Sequence, residues 1–286
     1  MASIEVESPS GKGAADENFP VGSVFLPARL RPHIAVYYAY ARAIDDVADS
    51  SQRPVDDKLE TLNRFAAAIR GEEDDPAFEK AHCLRRSLIE TGVCTDHALD
   101  LVSAFRQDAL KSRYENWGEL IDYCNRSAAP VGRYLLDLHG DGPAAYPYSD
   151  ALCNALQVIN HLQDCGDDYR ALGRVYIPLD WLAGAGETVD ALSKGASSPG
   201  LRQTMDRMLD GVDELLTMAE KLPAALGSRR LALESAFITG IARRLARRLR
   251  HQDPLAMRVE LGRLGFLTAG FVGICRFGFR SPGKVV

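Results

Sequence analysis

The sequence lacks any apolar run of the roughly eighteen residues a helix needs to cross a bilayer. Its nearest approach, Leu264 to Phe279, is interrupted by glycines and carries Arg276, a pattern suited to touching a membrane and not to spanning one. The six cysteines stand singly, without CxxC or CxxH spacing, which argues against zinc and a disulfide framework and fits reduced thiols in the cytoplasm. Charge of one sign is not concentrated either, and a net charge of -5 over 286 residues is no trap for nucleic acid. Strand signals are sparse, and there is no internal repeat or long linker. No GxGxxG follows a strand. The opening residues are rich in Ser, Gly, Glu and Lys and carry no secretory signal. Residues 1–16 are therefore expected to be a disordered tail, and 17–286 one large all-α domain.

What the chain does contain is helical periodicity punctuated by Gly, Pro and Asp. It predicts helices over Arg31–Asp49, with Pro32 in the first turn, over Val55–Arg70, over Ala77–Glu90, and from a capping Thr95 to Arg113. Asn116 is expected to cap a helix starting at Trp117 with Glu119 completing a box, and Pro130 to interrupt its continuation toward His139. A loop over Gly140–Tyr148 precedes a long helix capped by Ser149, with Gly166 near its far end. Ala171–Leu182 reads as an ordered loop with a short helix, and helices follow at Leu201–Leu222, Ser228–His251 and Pro254–Phe277.

Two of these helices carry a polar edge. At about 100° per residue, Gln157, Asn160, Asp164 and Asp168 fall within about 80° of one another. Arg42, Asp45 and Asp49 share a face in the same way, with Tyr38 one turn earlier. Carboxylates one turn apart repel by a few tenths of a kcal/mol, roughly, and either cluster alone reads as a solvated helix face. Their apolar neighbours and the adjoining Arg42, Gln157 and Asn160 favour a second reading. In it, two opposed faces bind magnesium through oxygen and clamp a diphosphate between them.

Asp45-Asp46-Val-Ala-Asp49 and Asn160-His-Leu-Gln-Asp164-Cys-Gly-Asp-Asp168 resemble the two aspartate-rich motifs of the squalene/phytoene synthase family. Tyr123-Cys124 followed by Pro130-Val-Gly132, and Gly173-Arg-Val-Tyr176-Ile-Pro178, resemble two further motifs in the family's order. The resemblance runs from about Phe19 to Ala246. Glu17-Asn-Phe-Pro-Val21, Ala104-Phe-Arg-Gln-Asp108 with Arg113-Tyr114, and Ser127-Ala-Ala-Pro130-Val-Gly-Arg133 look like the hydroxysqualene synthase branch of bacterial squalene and hopanoid biosynthesis.

The resemblance implies a terpenoid-synthase-type helical domain with a central cavity and an enzyme dependent on Mg²⁺, with Mn²⁺ as the alternative. Its expected substrate is presqualene diphosphate, ionised, rearranged and captured by water to give hydroxysqualene; a separate reductase would finish the pathway, so the resemblance implies no nicotinamide. It further implies Asp45, Asp49, Asn160, Asp164 and Asp168 as metal ligands, and Tyr38, Arg42, Gln157, Arg174 and Tyr176 beside the substrate. Tyr123 joins the four aspartates as a catalytic candidate. Asp164 to Tyr176 is one residue longer than the family pattern, through Ala171-Leu172, which weakens the alignment of Arg174 and Tyr176. A carbocation needs apolar, aromatic walls, for which Tyr37, Tyr38, Tyr40, Phe105, Tyr123 and Tyr134 are the stock.

Head-to-head condensation of farnesyl diphosphate or another prenyl diphosphate is the rival within the family, and a non-catalytic helical lipid- or partner-binding protein the rival outside it. The arginine-rich stretch from Arg229 to Arg250 is amphipathic and reads as a solvated basic face, a dock for anionic lipid, or a source of diphosphate contacts. A cytoplasmic protein, peripheral at the inner face of the membrane and working beside pathway enzymes, is the corresponding expectation.

Overall fold

The computed structural model describes residues 26–280. The expected tail and the Glu17–Val21 motif lie outside them. The described residues form α-helices linked by short turns and 3-10 segments, with no strand among them. The first four helices are α1 (Arg31–Asp49), α2 (Val55–Arg70), α3 (Glu79–Thr91) and α4 (Asp96–Leu110). Then come α5 (Trp117–Ser127), α6 (Ala129–His139), α7 (Tyr146–Leu172) and α8 (Leu179–Gly184). The chain closes with α9 (Pro199–Ala219), α10 (Leu222–Ala225), α11 (Arg229–His251) and α12 (Arg263–Arg280).

α1 starts with proline in its first turn and buries Ile34, Tyr37, Ile44 and Val47 at helical spacing against α3 and α4. α7 is the centre of the second half, packed by α5, α6, α9 and α11. The halves are joined by α4 and α6. The Tyr37 ring of α1 stacks on Tyr134 of α6 at 4.0 Å, and the Tyr134 hydroxyl donates to the His33 carbonyl at 3.0 Å. His97 of α4 meets the Asp137 carboxylate of α6 at 2.8 Å.

Several expected boundaries move. α4 stops at Leu110 because Lys111 turns extended, and the strand-like segment that follows is taken up by backbone bonds to the chain after α7. Thr95 precedes α4 without making a side-chain cap bond, whereas Asn116 Oδ1 accepts from the Glu119 amide as expected. Ser149 is no cap: α7 begins at Tyr146, with Pro147 in its first turn and Ser149 buried. Gly166 lies six residues before the end of α7; the helix runs to Leu172, and Gly173 with φ +63 closes it. A Cβ at Gly166 would stand 2.8 Å from the Leu255 side chain, so that glycine serves packing. The helix expected to reach Leu222 ends at Ala219. The last helix starts at Arg263, since Asp253 accepts from the Leu255 and Ser197 amides and holds the chain in a turn at Pro254.

α11 is not an open cationic face along its whole length. Arg243 reaches Asp213 at 3.0 Å and Glu220 at 3.0 Å, and Arg250 reaches Asp210 and Asp213 at 2.8 Å, all on or beside α9. Two glycines of α12, Gly270 and Gly273, have a packing cause. A Cβ at Gly273 would fall 2.1 Å from the Ala236 carbonyl oxygen, and one at Gly240 would fall 2.3 Å from that of Ala269. The two helices therefore cross backbone to backbone. Gly273→Ala is expected to destabilise the protein by about 1–3 kcal/mol, since backbone cannot move aside as a flexible side chain can. Urea unfolding checks this, with protease cleavage between α11 and α12 rising in parallel.

Candidate active site

The acidic edge of α1 is half-buried, between buried Ile44 and Val47 on the adjoining faces. Arg42 reaches down one turn, donating to Asp45 at 2.5 Å and to Asp46 at 3.0 Å. Burial, the Asp49 charge and more distant Asp108 and Asp46 push Asp45 up to about 8, with Arg42 pulling the other way. More negative charge is gathered here than Arg42 neutralises.

A second arginine arrives from far along the chain. Arg174, two residues past α7, is buried and ion-paired to Asp49; its guanidinium also donates to the carbonyls of Ala48 at 3.2 Å and Asp108 at 3.4 Å. Burial alone would favour the neutral arginine, but Tyr176, Asp108 and Asp49 outweigh it and raise its pKa. The loop is strapped in place. Val175 donates to Ser112 at 2.9 Å, and Leu179 and Asp180 donate to Tyr114 and Glu115 at 3.0 Å. The extended segment that cut α4 short is thus what aims Arg174. Lys58 of α2 donates to the Ala48 carbonyl at 2.9 Å, adding a cation near the same end of α1.

Beneath Arg174 lies a buried polar knot. Asp108 accepts from the Tyr123 hydroxyl at 2.6 Å and the Tyr176 hydroxyl at 3.3 Å. Burial raises Asp108 to about 6, held down by Arg174 and the Tyr123 bond. Tyr176 stacks on His161 of α7 at 3.6 Å, with Tyr114 and Tyr123 at 5.5 and 5.6 Å from it. Burial, then Arg174, lowers His161 to about 3, so the imidazole is neutral. Its Nε2 lies 3.3 Å from the Gln157 amide, on the polar edge of α7.

A continuous chain of contacts therefore runs Asp49, Arg174, Asp108, Tyr176, His161, Gln157. It ties the acidic face of α1 to the polar edge of α7, and Tyr123 belongs to it. Asn160, Asp164 and Asp168 continue that edge, half-buried, while Ile159, Leu162 and Cys165 are buried beside them. Tyr38 is half-buried one turn before Arg42. Of the aromatic stock, Tyr37, Tyr40 and Tyr134 are core: the Tyr40 hydroxyl donates to the Ala98 carbonyl at 3.3 Å. Asp108 and Lys58 were not singled out for the site by the sequence. Asp108 carried two signals, its place in the Ala104–Asp108 motif and an acid seven residues after Leu101 on the buried stripe of α4; Lys58 carried none.

The donors present suit a hard divalent cation. Asp45 and Asp49 offer carboxylate oxygens in a half-buried place where burial first, and the Asp49 charge second, raise the Asp45 carboxyl. Asn160, Asp164 and Asp168 offer a second oxygen set. The pH consequence is definite. Folding raises Asp45 from an ordinary value near 4 to about 8, so in that window the native state keeps a proton the unfolded chain releases. Stability from this group is full below that range and falls as pH rises through it. In chelator-treated protein, Asp45→Asn should melt higher than the parent at pH near 8, the gap narrowing on acidification; a lower midpoint at both ends would contradict this. For the knot, Asp108→Leu should cost about 2–4 kcal/mol by stranding two buried hydroxyls, and Asp108→Asn distinctly less. Denaturant titration of both variants tests it.

The family model for squalene/phytoene synthase matches residues 13–264. A hydroxysqualene synthase of Rhodopseudomonas palustris is 45% identical over 92% of this chain and 89% of its own, and one of Zymomonas mobilis is 42% identical over the same shares. Among solved structures, a squalene synthase from Alicyclobacillus acidocaldarius superposes with TM-score 0.71 at 32% identity, covering 81% of this chain and 87% of that one. A dehydrosqualene synthase, 20% identical with TM-score 0.76 over 89% of both chains, shares the fold. With the family model spanning most of its length and such relatives along nearly all of it, the chain belongs to the squalene/phytoene synthase family.

Proposed function

We propose that this chain is a hydroxysqualene synthase acting on presqualene diphosphate, in one catalytic unit that begins near residue 17. The observation that carries the reading is the identity of 41–45% with three proteins of that name, over about nine-tenths of the chain. The site agrees with it in chemistry. Asp45, Asp49, Asn160, Asp164 and Asp168 are the proposed holders of Mg²⁺, or Mn²⁺ in its place. The bound cation would supply charge neutralisation to the departing diphosphate.

The rest is work for the protein's own groups. Arg42 and Arg174 orient the carboxylates and bring fixed positive charge to the place where an anionic headgroup is held. Ionisation breaks the carbon–oxygen bond, leaving diphosphate with the electron pair and a cation on the hydrocarbon. The rearranged cation gains one bond from a water oxygen, and the proton released passes to a neighbouring acceptor. Gln157 and Tyr38 are proposed to border the reacting carbons. Tyr123 and Tyr176, held by Asp108, form the rigid wall behind them that limits access of water. No step requires a hydride, which agrees with the expected absence of a nicotinamide. A cytoplasmic location with peripheral membrane contact, and neighbouring pathway enzymes, remain part of this proposal.

Purified chain with Mg²⁺ and presqualene diphosphate should release hydroxysqualene, identified by mass spectrometry of the lipid extract. Formation of presqualene diphosphate from farnesyl diphosphate would move the assignment to head-to-head condensation. Turnover of neither substrate would leave a binding protein. Asp45→Ala and Asp164→Ala should each lower kcat by at least about a hundredfold with the helical circular dichroism unchanged.

A further inference from the structure

We propose that the outer face of α12 is a docking surface that seats this protein on an anionic lipid bilayer. The inner face of α12 is committed to α11 through Ala269, Gly270 and Gly273. Opposite it, Leu264, Leu267, Phe271 and Val272 recur at offsets of 0, 3, 7 and 8, one helical stripe, and are 76%, 50%, 57% and 47% exposed. Four large apolar side chains on one exposed helix face are unusual for a surface in contact with water alone.

Charge names the occupant. α12 has no acidic residue, and its charged residues are all arginines, including exposed Arg263 and Arg276. Gly240 lies on Ala269 and Ala236 on Gly273, so α11 and α12 run antiparallel. That register brings the exposed Arg244 and Arg247, which follow Gly240 at offsets of 4 and 7, alongside the start of α12. An apolar stripe rimmed by arginines matches the acyl boundary and the phosphates of an anionic leaflet. A second copy seated on the same face would set arginine against arginine. No described helix is long and apolar enough to cross a membrane, so α12 would lie in the interface plane. The family match ends at residue 264, so nearly all of α12 lies beyond the segment shared with the family model; the surface rests on the peripheral membrane contact proposed above and names the face that makes it.

The full-length protein should co-sediment with phosphatidylcholine vesicles containing phosphatidylglycerol, weakly or not at all with pure phosphatidylcholine, and less at high salt. The double variant Leu267→Gln/Phe271→Gln should lower partitioning by about tenfold or more, with circular dichroism and turnover of detergent-dispersed substrate unchanged. Equal sedimentation of variant and parent would overturn the assignment to this face. Equal binding to neutral vesicles would overturn its charge basis. A parent dimer that the double variant dissolves, without vesicle binding, would make the face a contact between copies instead.

Discussion

Negative charge crowded onto the last turns of α1 is the constraint around which this molecule is arranged. Asp45, Asp46 and Asp49 follow a buried apolar face and cannot all be fully hydrated. Arg42 answers two of them from within the helix, and Arg174 answers the third from 125 residues away. The second pairing is the expensive one to arrange, because a long-range ion pair needs its arginine delivered by folded structure. The delivery is made by the extended segment after α4, whose backbone holds the loop beyond α7.

Once Arg174 is fixed, the polar knot beneath it follows. Asp108 is the only carboxylate of α4 on that helix's buried face among the described residues, and it is satisfied by two tyrosine hydroxyls. Such a knot rigidifies when complete and destabilises when any member is removed. Asp45 is left with a raised pKa, by burial first and by the Asp49 charge second. The same carboxylates that make the site suitable for a cation weaken the metal-free fold, a familiar exchange of stability for function.

α12 illustrates a different division of labour. Its small residues remove side-chain bulk where its backbone meets α11, while Leu264, Leu267, Phe271 and Val272 face outward. Two of the glycines noticed in the sequence as interruptions of an apolar run, Gly270 and Gly273, are thus the means of close packing. On α11, by contrast, a run of arginines that looked like one basic face is split, with Arg243 and Arg250 turned to the carboxylates of α9 and Arg244 and Arg247 left exposed.

Helix existence was legible because apolar spacing and capping are local. Arg31–Asp49, Val55–Arg70 and the Asn116 cap follow from neighbours within one or two turns. The polar edges were legible for the same reason: Asp45 with Asp49, and Asn160 with Asp164, are face-mates by helical geometry alone. Boundaries set by distant partners were not, as at Leu110, where backbone bonds to the chain after α7 end the helix. Nor was the role of Asp108, whose hydroxyl partners lie 15 and 68 residues away. The sequence by itself thus determined which residues share a face, since 3.6 residues per turn is a property of the chain. Only the tertiary structure decided which faces meet, because contact between segments far apart in the chain depends on how every intervening helix packs.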